Sequence, residues 1–151
     1  MSIVDISIMK QNIEEVVYYQ LEKTIKIARQ HTQRVFDQNG ISITKDQFVL
    51  MKTIHDFEPI SQVDLAAKAL KETASITRML DLLEKQDMTK RVSIEGDRRR
   101  YNIELSEKGR VFMTQHLDML FALRAKGIED ISDQDLATTM NVLKKIQENL
   151  A

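Results

Sequence analysis

The sequence contains no cysteine. That excludes a disulfide framework, a thiolate zinc site and a cysteine redox switch within these residues, and it is compatible with a reducing cytosol. One proline and four glycines among 151 residues leave little material for tight turns. Helix formers dominate, so the composition points to a mainly α protein. An excess of positive charge is also missing: 22 lysines and arginines face 23 aspartates and glutamates, a formal net charge of −1. No global basic field announces a nucleic-acid partner, and any such partner has to be held by a local patch. No apolar stretch reaches the ~18 residues of a membrane span. No basic region followed by an apolar run marks a signal peptide. The expectation is a cytoplasmic chain with no membrane partner. Its 42% hydrophobic and 30% charged residues read as soluble and globular, with length for one domain and a real core.

Catalytic patterns are equally scarce. His31, His55 and His116 lie far apart, with no spacing typical of a zinc site. No Ser-His-Asp order, glycine-rich phosphate loop or paired catalytic carboxylates stand out. No enzyme, metal or cofactor is expected. Met9, Met113, Met119 and Met140 read as core filler.

What is present is a succession of amphipathic helices. From about Asp5 to Gln38, Ile13, Val17, Leu21, Ile25 and Ala28 recur at fours. One helix over that stretch would span roughly 45–50 Å at ~1.5 Å per residue, long enough to pack on something besides its own chain. Asn39-Gly40 stops it. Thr44 and Gln47 have the spacing of a capping box ahead of Phe48, Leu50, Met51, Ile54 and Phe57. Glu58-Pro59 closes that second helix. Ser61 with Asp64 caps a third, carrying Leu65 and Ala66. Thr73 is the expected N-cap of a fourth, whose Ile76, Met79, Leu80 and Leu83 form one apolar face.

The period then changes from 3.6 to 2. Val92 and Ile94 alternate, as do Tyr101, Ile103 and Leu105, on either side of a Gly-Asp turn in "IEGDRRRYNIEL". That predicts a β-hairpin with Arg98, Arg99 and Arg100 at its tip. A fifth helix begins at Ser106-Glu107 and is apolar over more than one face. A last one, capped by Ser132 or Asp133, contains Leu136, Met140, Leu143, Ile146 and Leu150.

Three short helices followed by a hairpin is the order of a winged helix-turn-helix, in which the last short helix enters the major groove of DNA. The fourth helix carries suitable groups at its leading end: Thr73, Ser75, Thr77 and Arg78. Serine and threonine can bond base edges or phosphates, and arginine can pair bidentately with guanine. Ser61 and Gln62 open the helix before it. From Lys90 to Arg100, five basic residues face Glu95 and Asp97, a local +3 on a chain of −1. The other reading is a winged-helix lobe that binds a protein partner without specific DNA binding.

Residues 44–110 resemble the MarR (multiple antibiotic resistance regulator) family of bacterial transcription factors. The resemblance lies in Asp97-x-Arg99, in Leu105-Ser106-Glu107-Lys108-Gly109, in Ser61-Gln62 with Leu65-Ala66, in Ser75-Ile76-Thr77-Arg78 with Leu83-Glu84-Lys85, and in Arg91 at the entry to the wing. Asp87 stands where the family usually has glycine, at a position expected to be left-handed. The resemblance implies a winged lobe over 41–106, with dimerisation helices at 1–40 and 107–151, and a homodimer acting most often as a repressor on a near-palindromic duplex. Arg98, Arg99 and Arg100 would meet DNA, and Asp97 would brace the wing by pairing with Arg91 or a neighbouring arginine. A small aromatic or anionic ligand would bind between the dimerisation helices and the lobe, where Tyr18, Tyr19 and His31 are the candidate lining.

Overall fold

A computed structural model describes residues 11–151, apart from the side chain of Arg98. Its first helix is shorter than the periodicity implies. The part of the expected helix from Asp5 to Lys10 lies outside the described residues, and the remainder is interrupted. Asn12 accepts a hydrogen bond from the Glu14 amide at 3.0 Å and caps a single 3-10 turn, Ile13–Glu15. Val16 is extended, at φ −75° and ψ 124°, and α1 then runs Val17–Gln38. Ile13 and Val17 keep their spacing of four across this break, so the apolar stripe conceals it. Gly40, at φ 63°, makes the left-handed exit from α1.

The second helix, α2 (Lys45–Phe57), opens with the complete capping box. The Gln47 amide donates to Thr44 Oγ1 at 3.2 Å, and the Thr44 amide donates to Gln47 Oε1 at 2.9 Å. After it come a two-residue strand, β1 (Ile60–Ser61), and α3 (Gln62–Lys68), with Ser61 at the N-cap. Next is α4 (Thr73–Lys85). Thr73 is its first helical residue and not its cap, because the extended Glu72 takes that place. Phe48, Leu50, Met51 and Ile54 of α2, Leu65 of α3, and Ile76, Leu80 and Leu83 of α4 are all fully buried. Each contributes about 1.5–3 kcal/mol of burial.

The hairpin consists of β2 (Thr89–Ile94) and β3 (Asp97–Leu105). β1 joins the far side of β3 through Ile60 opposite Ile103, giving an antiparallel sheet in the order β1-β3-β2. Between β2 and β3 the turn is Glu95-Gly96, with Gly96 at φ 84°. The tip is therefore Glu-Gly and not the expected Gly-Asp, because Asp97 already pairs with Ile94 as the first residue of β3.

A tight junction joins α4, the hairpin and α5 (Glu107–Gly127). Asp87 is left-handed at φ 58°, as the position requires. Ser106 donates its hydroxyl to the Asp87 carbonyl and accepts from the Gly109 amide at 2.9 Å, while its own amide donates to the Met88 carbonyl at 3.0 Å. A Cβ on Gly109 would sit 2.0 Å from that Met88 oxygen. Phe36 of α1, Phe48 of α2 and Phe112 of α5 make edge contacts at 5.3 and 6.3 Å. The His116 ring lies 4.3 Å from Phe112, and its Nδ1 bonds the Phe112 carbonyl at 2.8 Å, which gives this histidine a structural role.

The chain forms two compact units, one ending at His116 and the other spanning Leu117–Ala151. In the second, α6 (Asp133–Leu150) is capped by Ser132, which accepts from the Asp135 amide at 3.1 Å. No residue of α6 is buried, and Met140, expected as core filler, is 54% exposed. In the first unit, Phe36 is the only buried residue of α1.

Candidate nucleic-acid interface

Helix α4 turns Ile76, Leu80 and Leu83 inward. Thr73, Ser75 and Arg78 are left exposed, with Thr77 half-buried beside them. These four share the first turn and a half, but they are not equally free. Thr77 Oγ1 donates to the Thr73 carbonyl at 3.0 Å and accepts from Gln62 Nε2 of α3. The Ser61 hydroxyl is similarly engaged, donating to Asp64 Oδ2 at 2.8 Å and accepting from the Asp64 amide at 3.1 Å. Ser61 is thus a cap first, and its proton is already committed.

The hairpin carries its arginines in an irregular segment. Ile94 pairs with Asp97, but Ser93 pairs with Tyr101. Arg98, Arg99 and Arg100 therefore stand opposite no residue of β2, extruded from the ladder as a three-residue bulge. Bulges bend and twist a strand locally and re-aim its side chains. Asp97 Oδ1 accepts from the Arg99 amide at 2.9 Å, bracing the start of the bulge through its backbone.

The expected Asp97–Arg91 pair does not form. Arg91 faces Ile103, three residues before the Ile94–Asp97 pair, which is about 10 Å along a strand at ~3.3 Å per residue. Arg91 reaches the other way: Nη2 bonds Asp81 at 2.9 Å and Nη1 bonds Glu84, both on α4. Lys90 lies 3.5 Å from Glu104. Two of the five basic residues counted in this stretch are thus neutralised within the fold. Arg78, Arg99 and Arg100 enter none of the ion pairs found among the described residues, and all three are exposed. Arg100 also lines a cleft of about 520 Å³ with Phe57, Ser61, Asp64 and Lys68, so it faces α3 as well as solvent.

Residues 43–101 match the model of the MarR family. The match runs from Ile43, just ahead of α2, to Tyr101 in β3. The solved structures similar to it include AbsC, a MarR family transcriptional regulator from Streptomyces coelicolor, at 18% identity and a TM-score of 0.81, covering 93% of this chain and 95% of that one. A MepR–DNA complex from S. aureus is similar at 17% identity and a TM-score of 0.79, over 89% of this chain and 98% of that one. Bordetella bronchiseptica BpsR, studied for regulation of its DNA binding by 6-hydroxynicotinic acid, is similar at 16% identity and a TM-score of 0.75, over 91% and 98%. At such identities the likeness establishes the winged-helix fold.

In this winged-helix fold the three residues named for a ligand pocket are not brought together by α1. Tyr19 lines a groove of about 600 Å³ with Glu22, Lys23, Lys26, Ile27 and Gln30. His31 is twelve residues further on, about 18 Å along the helix axis, and Tyr18 and His31 do not line that groove. The partners of Arg91 went unread in the sequence, although Asp81 and Glu84 are spaced by three on the side of α4 next to its apolar face. So did a carboxylate clamp at the sheet's end. Glu58 Oε2 accepts from the Leu105 amide at 2.8 Å and its other oxygen pairs with Arg110, a bond that raises the arginine's pKa.

Proposed function

We propose that this protein is a homodimeric, sequence-specific DNA-binding transcriptional regulator, acting as a repressor released by a small ligand. The observation that carries the reading is the extruded segment Arg98–Arg100 on a hairpin tied by Arg91 to a helix bearing an unpaired Arg78. That arrangement puts free guanidinium groups on two adjoining elements of a nearly neutral chain. Helix α4 enters the major groove with Ser75 and Arg78, and Arg99, with Arg98 beside it, reaches the adjacent minor groove or its flanking phosphates. Phosphate contacts supply most of the affinity and make it salt-dependent.

The dimer is supported by helices that find little to bury within one chain. An 18-residue α6 with no buried residue lacks the tertiary packing from which helices in proteins draw most of their stability, and α1 is nearly as bare. Two recognition helices in successive major grooves, roughly 34–36 Å apart, call for a near-palindromic site. Support for ligand control comes from BpsR, whose DNA binding is regulated by 6-hydroxynicotinic acid, and support for duplex DNA comes from the MepR–DNA complex.

Arg99→Ala tests the reading. It is expected to weaken binding to a selected operator and to flatten the slope of log K against log salt by about 1, with the dimer intact in sedimentation. An unchanged affinity and slope in a fluorescence-anisotropy titration would remove the wing from the interface. No salt-sensitive affinity for any duplex would favour the protein-binding alternative.

A further inference from the structure

A hydroxyl and an amide on neighbouring helices constrain one another where α3 meets α4. Gln62 is the first residue of α3, and Thr77 lies just past the first turn of α4. Thr77 Oγ1 donates to the Thr73 carbonyl at 3.0 Å, and a carbonyl can only accept. A hydroxyl has one proton, so toward Gln62 the Thr77 oxygen can only accept. Gln62 must therefore turn its amino group, Nε2, to Thr77. The two-fold ambiguity that usually attends a glutamine amide is removed by this chain of donors. Oε1 and the second N–H are left for another partner, and among the described residues the Gln62 side chain makes no further hydrogen bond.

We propose that Gln62 reads an adenine and that Thr77 is the positioning residue that orients it. This rests on the DNA-binding reading above. An amide offering one acceptor and one donor matches N6 and N7 of adenine in the major groove. A phosphate oxygen would use the N–H alone and would leave Oε1 beside negative charge, so only a base edge satisfies both atoms. Thr77, with its proton on Thr73 and a lone pair on Gln62, meets no base itself.

The test is a fluorescence-anisotropy titration with a duplex selected from random DNA by the unaltered protein. Each A·T pair is replaced in turn by G·C, symmetrically in both half-sites, and each adenine in turn by 7-deazaadenine, which lacks N7. The unaltered protein is expected to lose roughly tenfold in affinity at one adenine in both series, within the range of a bidentate contact. Gln62→Ala and Thr77→Val are expected to abolish that discrimination. Thr77→Ser keeps it, and the double variant Gln62→Ala/Thr77→Val matches Gln62→Ala alone. Retention of the discrimination in Thr77→Val overturns the proposal, and so does an equal weakening of all sequences. Should Thr77→Val not fold, the deazaadenine series on the unaltered protein and Gln62→Ala decides, because an adenine preference that survives Gln62→Ala refutes it. If the unaltered protein binds no duplex with salt-sensitive affinity, the DNA reading falls too. If it binds but no adenine depends on Gln62, only this inference falls.

Discussion

Gly109 has no room for a side chain. Its amide bonds the hydroxyl of Ser106, and its α-carbon faces the Met88 carbonyl so closely that a methyl group would sit 2.0 Å from the oxygen. The obstacle is backbone, which cannot swing aside as a flexible side chain would. Gly109→Ala is expected to cost about 1–3 kcal/mol, the range of overpacking, read as a lower urea midpoint at constant m. Ser106 and Gly109 thus owe their places to the joint between the wing and α5, not to contact with any ligand. Thr89 shows the opposite imbalance. Its Oγ1 is buried with no hydrogen-bond partner among the described residues, and an orphaned hydroxyl costs roughly 1–3 kcal/mol. Valine has nearly the same shape, lacks the hydroxyl and suits a strand. Thr89→Val should therefore raise stability by about 1 kcal/mol, checked by the same titration.

Among the elements, α2 is the hub to which the helix-turn-helix is tied. Its Asp46 lies 3.2 Å from Lys71, in the turn between α3 and α4, and 3.4 Å from Lys45, whose amide donates to Gln33 of α1 at 3.3 Å. Burial works to raise the Asp46 carboxyl, but the hydrogen bond and charge of Lys71, helped by Lys45, outweigh it and hold the group below its usual 3.8. A depressed folded-state value means that the pairing stabilises above 3.8 and that its contribution fades as pH falls through the folded value. The carboxyl is 41% exposed, so screening limits the effect to about 0.2–1 kcal/mol. Asp46→Asn should lower the urea midpoint at pH 7 by that amount, and the two proteins should converge as the pH falls well below 3.8. An undiminished gap in acid would show that the asparagine itself is the disturbance.

Much of this level was legible in the residues. Thr44, Gln47, Ser61 and Ser132 announced their helices because a cap is a local hydrogen bond between fixed sequence positions. The alternation of Val92, Ile94, Tyr101, Ile103 and Leu105 announced the hairpin because side-chain period follows backbone geometry. The Val16 break was hidden by an apolar spacing that a straight helix would share. The strand Ile60–Ser61 is too short to have a period. The bulge was invisible because alternation reports which residues face one way, not which ones lack a partner. Arg91's true partners lie on another element, and the same was true of the bond between Gln62 and Thr77. Contacts of that kind depend on packing that no local pattern encodes.

At the scale of the whole molecule, apolar surface is left where a single chain cannot cover it. Along α6, Met140 and Leu150 are 54% and 71% exposed, and they share the stripe with Leu136, Leu143 and Ile146. If that stripe meets a second copy, the variant carrying both Met140→Asp and Leu150→Asp should sediment as a monomer while keeping its helical circular-dichroism signal. A dimer that persists at the same concentration would place the interface elsewhere. The charge of the molecule follows a similar division. Its 22 lysines and arginines nearly balance its 23 aspartates and glutamates, while three consecutive arginines occupy a segment that the sheet does not pair. A segment without ladder partners can change its side chains while the strand pairings on either side stay as they are. On the DNA-binding reading proposed above, residues 98–100 are therefore positions where a descendant protein could acquire a new operator, or a library could be screened for one, without first having to solve the folding problem again.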